Sequence, residues 1–231
     1  MNITEGYKEL QKRIGYDFCD SAKLMTALSH SSYINELKLK RHEDYERFEF
    51  LGDAVLELAV SEFLFRTHPE MHEGEMTKLR ASLVCEPTLA YCARIGFDLG
   101  KYVLLGKGED LSGGRERDSI ISDVFEAIIG AIYLDGGFEA AERFIMRFVL
   151  TDYETKIEFR DSKTILQEYA QDKGLSLVYE LVEERGPEHD RDYVMRAVLG
   201  DDISETGCAK SKKAAQQNAA FAILQKHISK R

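Results

Sequence analysis

The chain has 231 residues, of which 44% are hydrophobic, enough to bury the core of one large or two small domains. No apolar run approaches the roughly 20 residues of a membrane-spanning helix, and the N-terminus lacks the features of a secretory signal. The four cysteines are widely spaced and form no CxxC pair, which favours reduced thiols. We therefore expect a cytoplasmic protein with no membrane partner.

Charge is distributed unevenly along the chain. The formal net charge of −10 would by itself argue against a nucleic-acid partner. Residues 1–159 hold 19 basic and 29 acidic side chains, whereas residues 160–231 hold 12 of each. Residues 210–231 carry six basic side chains and no acidic one. We interpret the chain as an acidic body followed by a module with a basic end.

The spacing of apolar residues predicts an all-helical domain over residues 6–150, with no convincing strand. Ser21 and Thr77 are the expected N-caps of two helices, and His30 is interpreted as a structural hydrogen-bonding residue. Residues 70–77 are predicted to form a polar turn and residues 106–115 a flexible loop. Helices are predicted over 6–15, 21–28, 45–65, 77–84, 87–95, 119–134 and 138–150.

The hydrophobic period changes after a polar linker predicted at residues 151–160. A helix is expected over 162–173, followed by a strand of alternating apolar residues over 175–183. A Gly-Pro turn separates this strand from two shorter ones, and an alanine-rich helix follows from residue 211. The order α-β-β-β-α predicts a small α+β domain over residues 161–230.

Three carboxylates share one face of the long helix predicted at 45–65. Glu46, Glu49 and Asp53 are spaced i, i+3 and i+7, which stacks them over two turns. Crowded acids repel each other unless they share a cation or a proton, or project into water. A solvated acidic stripe is the simpler interpretation, but Phe48 and Phe50 should shield this helix from solvent. The pattern therefore favours a metal site.

A second helix, predicted at 119–134, adds Asp123 and Glu126 within an otherwise nearly continuous apolar surface. Glu73, in the predicted turn, is a sixth candidate, and Glu57 is interpreted as peripheral. The sequence has no His/Cys cluster for zinc, and ligands that are all oxygen select Mg²⁺ or Mn²⁺. Such a site fits phosphodiester hydrolysis, in which metal activates water and neutralises the leaving oxygen.

Basic residues at the start of the last helix suggest the substrate. Lys210, Lys212 and Lys213 stand where the helix N-terminus also favours phosphate. Solvated lysines are the simpler interpretation, but cations are locally unfavourable at this end of a helix. Together with the α-β-β-β-α order, they predict binding of duplex RNA through its shape, 2′-hydroxyls and phosphates. Further candidates for groove contacts are Gln167, Glu168 and His189.

Several stretches resemble bacterial ribonuclease III over nearly the whole chain. Glu46–Asp53 (ERFEFLGD) looks like the signature of that family, and Ser122–Asp135 (SDVFEAIIGAIYLD) looks like its second acidic helix. Glu73–Arg80 and Gly113–Ile120 are similar to its intervening segments. The C-terminal part resembles a double-stranded RNA-binding domain, with Lys210–Lys213 (KSKK) as its basic helix start.

The resemblance implies a homodimer in which each protomer supplies one acidic site and the pair cuts both strands of duplex RNA. The products would carry 5′-phosphate and 3′-hydroxyl ends with short 3′ overhangs, and the substrates would include ribosomal RNA precursors. Asp53 and Glu126 would be catalytic, with Glu46 and Glu73 as accessory acids. The Mg²⁺ ligands, which Mn²⁺ could also occupy, would be Glu49, Asp123 and Glu126.

Two positions depart from the family pattern: Ala209 stands at a usual glycine and Gln216 at a usual glutamate. Both bear on affinity for RNA and neither touches the acids. A catalytically inactive RNA-binding scaffold is the alternative function, and a nuclease for DNA is a third hypothesis. An inactive relative should have lost at least one of the six acids, and this sequence has all of them.

Overall fold

The computed structural model of the chain describes residues 3–38, 44–186, 191–209 and 211–228. The chain forms two compact units, Met1–Tyr153 and Glu154–Arg231. The first unit is helical and the second has the order α-β-β-β-α, which confirms the predicted fold class. Across the described ranges, no helix has both the length and the apolar character needed to cross a membrane.

Helices account for nearly all regular structure in the first unit. In its described part, the only β-type pairing is a single bridge between Ser29 and Leu104. A π-helical turn over Met146–Leu150 continues the last helix. The α-helices are α1 (Ile3–Ile14), α2 (Ser21–Ala27), α3 (Ser31–Glu36), α4 (Glu46–Thr67), α5 (Glu73–Leu83), α6 (Glu86–Phe97), α7 (Lys107–Leu111), α8 (Asp118–Gly136) and α9 (Phe138–Ile145).

Local capping places two helix starts differently from the prediction. The side chain of Asp20, and not that of Ser21, caps α2 by accepting a hydrogen bond from a backbone N–H two residues later (3.0 Å). The predicted turn at 70–77 is helical from Glu73 onward, so Thr77 lies inside α5. The α5 start is stabilised by Glu75, whose side chain accepts from the backbone N–H at position 72 (2.8 Å). Part of the predicted loop at 106–115 forms α7.

Helix α8 is the centre of the first unit and is buried along most of its length. It packs against α2, α4, α6 and α9, as expected for a helix that is apolar nearly all round. Four aromatic rings fix its position, with neighbouring centroids 4.8 to 6.1 Å apart. They belong to Phe97, Phe125, Phe144 and Phe148.

The second unit is built on a three-stranded antiparallel sheet in the order β1-β2-β3. Its last helix lies so close to β3 that a Cβ at Gly207 would overlap the backbone at Ala215 and Ala219. This close contact accounts for the many alanines of that helix. The elements are α10 (Tyr153–Lys173), β1 (Leu177–Arg185), β2 (Asp192–Leu199), β3 (Ile203–Ala209) and α11 (Lys212–Ile223).

Helix α10 begins earlier than the sequence predicts. The stretch 151–160 was expected to be a linker because it is polar and lacks an apolar period, yet the chain is helical from Tyr153. The Tyr153 hydroxyl lies 2.7 Å from His68 Nε2, and its ring packs edge-on against Phe63. Tyr153, the last residue of the first unit, is therefore held within that unit by Phe63 and His68.

Candidate active site and RNA-binding surface

Helices α4 and α8 cross at two glycines. A Cβ at Gly52 would overlap the carbonyl oxygen of Glu126, and a Cβ at Gly130 would overlap that of Phe48. A glycine inside a helix costs about 1 kcal/mol relative to alanine, so two at one crossing indicate a packing requirement. This backbone contact brings the acidic faces of the two helices together.

Burial and mutual repulsion alter the acidity of this cluster. Burial, followed by the charges of Asp53 and Glu49, raises the pKa of Glu126 to about 8. Burial, followed by the charges of Asp123 and Glu46, raises the pKa of Glu49 to about 7. The pKa of Asp123 is also raised, chiefly by burial. The structure thus places five of the six predicted acids in one electrostatically coupled group. We call this group, which consists of Glu46, Glu49, Asp53, Asp123 and Glu126, the acid cluster.

The remaining acids of α4 and α8 each form an ion pair with a basic side chain. These pairs are Glu57 with Arg80, Glu62 with Arg66, Asp118 with Arg94, and Asp135 with Lys23. Within the described residues, the members of the acid cluster form no such pair. Glu57, interpreted as peripheral, is thus held by Arg80. On these two helices, the acid cluster therefore holds the only carboxylates without a basic partner among the described residues, and a bound cation would favour their ionised form.

The donor set fits a hard divalent cation, because all its ligand atoms are carboxylate oxygens in a partly desolvated site. In the described parts of the chain, no group of three or more Asp, Glu, His or Cys side chains is arranged so that it could hold a metal ion by itself. Mg²⁺ commonly keeps several waters and binds one or two carboxylates together with substrate phosphate. A set of carboxylates that does not enclose the ion by itself is therefore compatible with a Mg²⁺ site to which substrate phosphate and water add the remaining ligands.

Exposure differs among the members of the acid cluster. Phe50, predicted to shield the acids, is instead 82% exposed, since only the α4 face around Gly52 meets α8. Solvent therefore reaches the edge of the cluster, and a charged substrate could approach from that side. The half-buried acids are Glu49, Asp123 and Glu126, and the exposed acids are Glu46 and Asp53.

Asp123 is held by a tyrosine outside the predicted acid set. The Tyr45 hydroxyl donates a hydrogen bond to Asp123 Oδ2 (3.2 Å). Tyr45 is buried, and its backbone N–H donates to the carbonyl of Ser29 (3.0 Å). The ring of His30 lies 5.7 Å from that of Tyr45, and its Nδ1 accepts from the backbone N–H of Ser32 (3.1 Å). His30 caps α3, which agrees with the structural role expected of it.

Glu73 stands apart from the acid cluster within this chain. It is exposed at the start of α5, where its carboxylate accepts a hydrogen bond from Thr77 (3.4 Å). Its charge is not among those that raise the pKa of Glu49 or Glu126. It lines a cavity between α4 and α5 whose apolar wall includes Leu58, Leu64, Phe65 and Met76.

In the second unit, Lys212 and Lys213 are exposed in the first turn of α11. Lys212 is already engaged by an acid, since its Nζ lies 3.1 Å from Glu184 Oε1. The same Nζ lies 5.3 Å from the centroid of the Tyr193 ring. Glu184 also accepts a hydrogen bond from Arg191 (2.8 Å). One predicted phosphate-binding lysine is therefore partly neutralised within the chain.

The structure gives fewer contacts for the other predicted RNA-binding residues. Gln167 and Glu168 are exposed on α10, and the contacts of the described residues do not connect them with Lys212. His189 and Lys210 lie outside the described residues.

Sequence reasoning missed Gly52, Gly130, Tyr45 and Glu184. The two glycines carried a usable signal, because a glycine within an apolar helix usually has a packing reason. Tyr45 carried none, because its partner Asp123 is 78 positions away. Glu184 is one acid in a charged strand, and only the pairing of α11 with the sheet shows its contact with Lys212.

Comparisons with known proteins agree with the division of the chain into a helical first unit and an α-β-β-β-α second unit. The family model described as Ribonuclease-III-like matches residues 20–153, and the model described as double-stranded RNA binding motif matches residues 162–227. Proteins named ribonuclease 3 from Geobacillus sp. (strain WCH70) and Bacillus cereus (strain G9842) are each 48% identical to the chain. The alignments cover 95% and 96% of this chain, and 90% and 91% of those proteins.

A solved nuclease domain of ribonuclease III from Campylobacter jejuni is 41% identical and has a TM-score of 0.59. The match covers 64% of this chain and 98% of that one. Its description concerns structural flexibility in a region involved in formation of that protein's dimer.

Proposed function

The chain belongs to the ribonuclease III family and is an endoribonuclease for double-stranded RNA; on that premise we propose that the acid cluster holds Mg²⁺ for phosphodiester hydrolysis. The observation that carries this proposal is the gathering of five carboxylates at the close crossing of α4 and α8, where burial and mutual repulsion raise the pKa of Glu49 and Glu126. These carboxylates lack basic partners among the described residues, so a cation is needed to keep them ionised near neutral pH.

We assign different roles to the half-buried and the exposed members of the acid cluster. The half-buried side chains of Glu49, Asp123 and Glu126 are the proposed metal ligands, and Mn²⁺ can substitute for Mg²⁺ there. When bound, the ion activates a water and neutralises charge on the phosphate and leaving oxygen. Asp53 is exposed beside Glu126, where its carboxylate can accept a hydrogen bond from the attacking water and orient it. Glu46, at the exposed edge, is an accessory acid.

The second unit is proposed to bind the duplex. The exposed N-terminal turn of α11 offers lysines and backbone N–H groups to phosphates. Duplex RNA suits such a surface because its sequence-independent backbone and 2′-hydroxyls are what this type of domain contacts. The residues proposed for these contacts are Gln167, Glu168, His189, Lys210, Lys212 and Lys213.

We also propose a homodimer, in which Phe50 of each protomer enters the α4–α5 cavity of the other. An aromatic side chain of α4 that is 82% exposed and an apolar cavity farther along the same helix support this arrangement. Phe50 follows Glu49 directly, and Glu73 lines the cavity. Docking would therefore bring Glu73 beside the acid cluster of the other protomer, which explains its separation within one chain.

Two such sites in a symmetric dimer would cut both strands of a duplex and leave 5′-phosphate and 3′-hydroxyl ends. Substrates proposed on the same basis are precursors of ribosomal RNA and other structured RNAs. The cytoplasm is the proposed location, because all four cysteines, which lie in described parts of the chain, are present as thiols.

The test compares cleavage and binding in Glu126→Gln with those in Asp118→Asn. Cleavage by Glu126→Gln should fall by at least about 10³-fold, because a metal ligand supports several kcal/mol of charge stabilisation. Binding of duplex RNA should be retained. Asp118 lies on α8 like Glu126 but pairs with Arg94, so Asp118→Asn should cut normally.

The substrates are duplex RNA, duplex DNA and single-stranded RNA, each with Mg²⁺ and with EDTA. Cleavage of duplex RNA that requires Mg²⁺ is the expected result. Normal cleavage by Glu126→Gln in Mg²⁺ would contradict the metal assignment, and equal cleavage of duplex DNA would contradict the substrate.

A further inference from the structure

We propose that Tyr45 is a positioning residue that orients Asp123 for metal binding. The inference rests on the proposed function, since it assigns a role toward the ion that the acid cluster would hold. Tyr45 touches neither metal nor substrate in this proposal and acts only through the carboxylate of Asp123.

The hydrogen bond engages one oxygen of a proposed ligand and so fixes the orientation of its carboxylate. The Tyr45 hydroxyl donates to Asp123 Oδ2 at 3.2 Å, which restricts rotation of the carboxylate. A phenol keeps its proton near neutral pH, so the hydroxyl is a hydrogen-bond donor there. Partners of this kind orient ligating carboxylates in metal sites.

The position of Tyr45 is itself fixed from two sides. Its side chain is only 5% exposed and packs beside the ring of His30. Its backbone N–H donates to the carbonyl of Ser29, and Ser29 is bridged to Leu104. A donor held this firmly can impose an orientation on Asp123, which a mobile side chain could not do.

A second tyrosine–aspartate pair, whose aspartate also lies on α8, shows how a purely structural contact differs from the contact between Tyr45 and Asp123. Tyr16 donates to Asp135 Oδ2 at 2.9 Å. Both oxygens of Asp135 are occupied, because the backbone N–H groups at 19 and 20 and the ammonium of Lys23 also bind them. Asp123, in contrast, accepts through Oδ2 from Tyr45. Asp135 thus has a lysine and two backbone N–H groups among its partners, whereas the partners of Asp123 among the described residues are the hydroxyls of Tyr45 and Ser122, which leave its charge without a lysine or arginine.

These two pairs provide a matched experiment on the full-length protein without RNA. Mn²⁺ affinity is measured by electron paramagnetic resonance for the wild type, Tyr45→Phe, Tyr16→Phe and Asp123→Asn. Asp123 and Asp135 are twelve residues apart, about 18 Å along α8, so the control lies well away from the site. Each Phe variant loses one hydroxyl and keeps its ring, and thermal unfolding without metal checks that both remain folded.

Tyr45→Phe should bind Mn²⁺ about 10-fold or more weakly, as is typical when the partner of a metal ligand is removed. Tyr16→Phe should bind like the wild type, and Asp123→Asn should lose most of its affinity. In cleavage assays, Tyr45→Phe should need about 10-fold more Mg²⁺ but recover its rate at saturation.

The controls separate two kinds of failure. If Asp123→Asn loses Mn²⁺ while Tyr45→Phe matches Tyr16→Phe, the positioning role is wrong and the metal site stands. If Asp123→Asn binds Mn²⁺ like the wild type, the metal assignment itself is wrong, and with it the role of Tyr45.

Discussion

Gly52 of α4 lies directly against the backbone of Glu126 on α8, with no room for a side chain between them. Because both residues sit on the same crossing as the acids, this contact sets the distance between the two halves of the acid cluster. Gly52→Ala should destabilise the protein by about 1–3 kcal/mol, since the clash is with backbone that cannot rotate away. It should also sharply reduce cleavage.

Gly74→Ala is the matched control for that substitution. Gly74 lies in α5, and a Cβ there would meet nothing within 4 Å. Removing a helical glycine should stabilise the protein by up to about 1 kcal/mol. Urea unfolding of both variants measures the difference. Equal effects of the two substitutions would show that the α4–α8 contact does not require glycine.

The raised pKa values predict that the metal-free protein loses stability as the pH rises from about 5 to 8. Glu49 and Glu126 keep their protons until about pH 7 and 8 when folded, but release them near the ordinary value of 4.5 when unfolded. The folded state therefore binds more protons across this window, and the free energy of unfolding falls as pH rises. At full value the two shifts would correspond to about 6 kcal/mol between these pH values, and solvent screening of the half-exposed carboxylates reduces the expected loss to roughly 2 kcal/mol.

Urea titrations at pH 5 and pH 8 in EDTA measure this loss. Glu126→Gln should reduce it, because the amide carries no charge, and Mg²⁺ should restore stability to the wild type at pH 8. A metal-free protein that is equally stable at both pH values would refute the coupling.

The lysines at the start of α11 should contribute to the salt dependence of RNA binding. The Lys210→Ala, Lys212→Ala, Lys213→Ala triple variant should bind duplex RNA more weakly, with a shallower slope of log K against log salt. Each lost phosphate contact removes about one unit of slope. Lys226→Ala is the control, because Lys226 pairs with Glu205 near the other end of the last helix. An unchanged slope in the triple variant would exclude phosphate contacts by these lysines.

Glu184 should weaken RNA binding by competing with phosphate for Lys212. Glu184→Gln removes the negative charge 3.1 Å from the Lys212 ammonium and should tighten binding. The gain should be at most about fivefold, because an exposed ion pair contributes about 0.2–1 kcal/mol. Glu205→Gln removes an equivalent charge beside Lys226 and should have no such effect. Weaker binding by Glu184→Gln would mean that the acid positions Lys212 for phosphate.

Phe50→Asp should convert the proposed homodimer into monomers, since a charge cannot enter the apolar cavity between α4 and α5 without a large desolvation cost. Sedimentation velocity measures the change. Leu111→Asp is the control, because Leu111 is 88% exposed but lies on α7, away from that cavity. A dimeric Phe50→Asp protein would place the dimer contact elsewhere.

The sequence alone determined the helical and α+β halves of the chain, because hydrophobic period depends only on local spacing. It also identified the acids, since Glu46, Glu49 and Asp53 must share a face of any helix that contains them. Most of its errors lie at local boundaries. The start of α5 depends on capping by Glu75, and α7, with five residues, is too short to show a period. The shielding expected of Phe50 was wrong because exposure depends on which face of α4 meets α8.

Only the tertiary structure decided how distant segments meet. The Gly52–Gly130 crossing joined Asp123 and Glu126 to the acids of α4, and Tyr45 was brought to Asp123 across 78 positions. Such contacts depend on the packing of whole helices around a core, and no local spacing in the chain encodes them. The same physical reason separates Glu73 from the acid cluster, although its residue type matched the others.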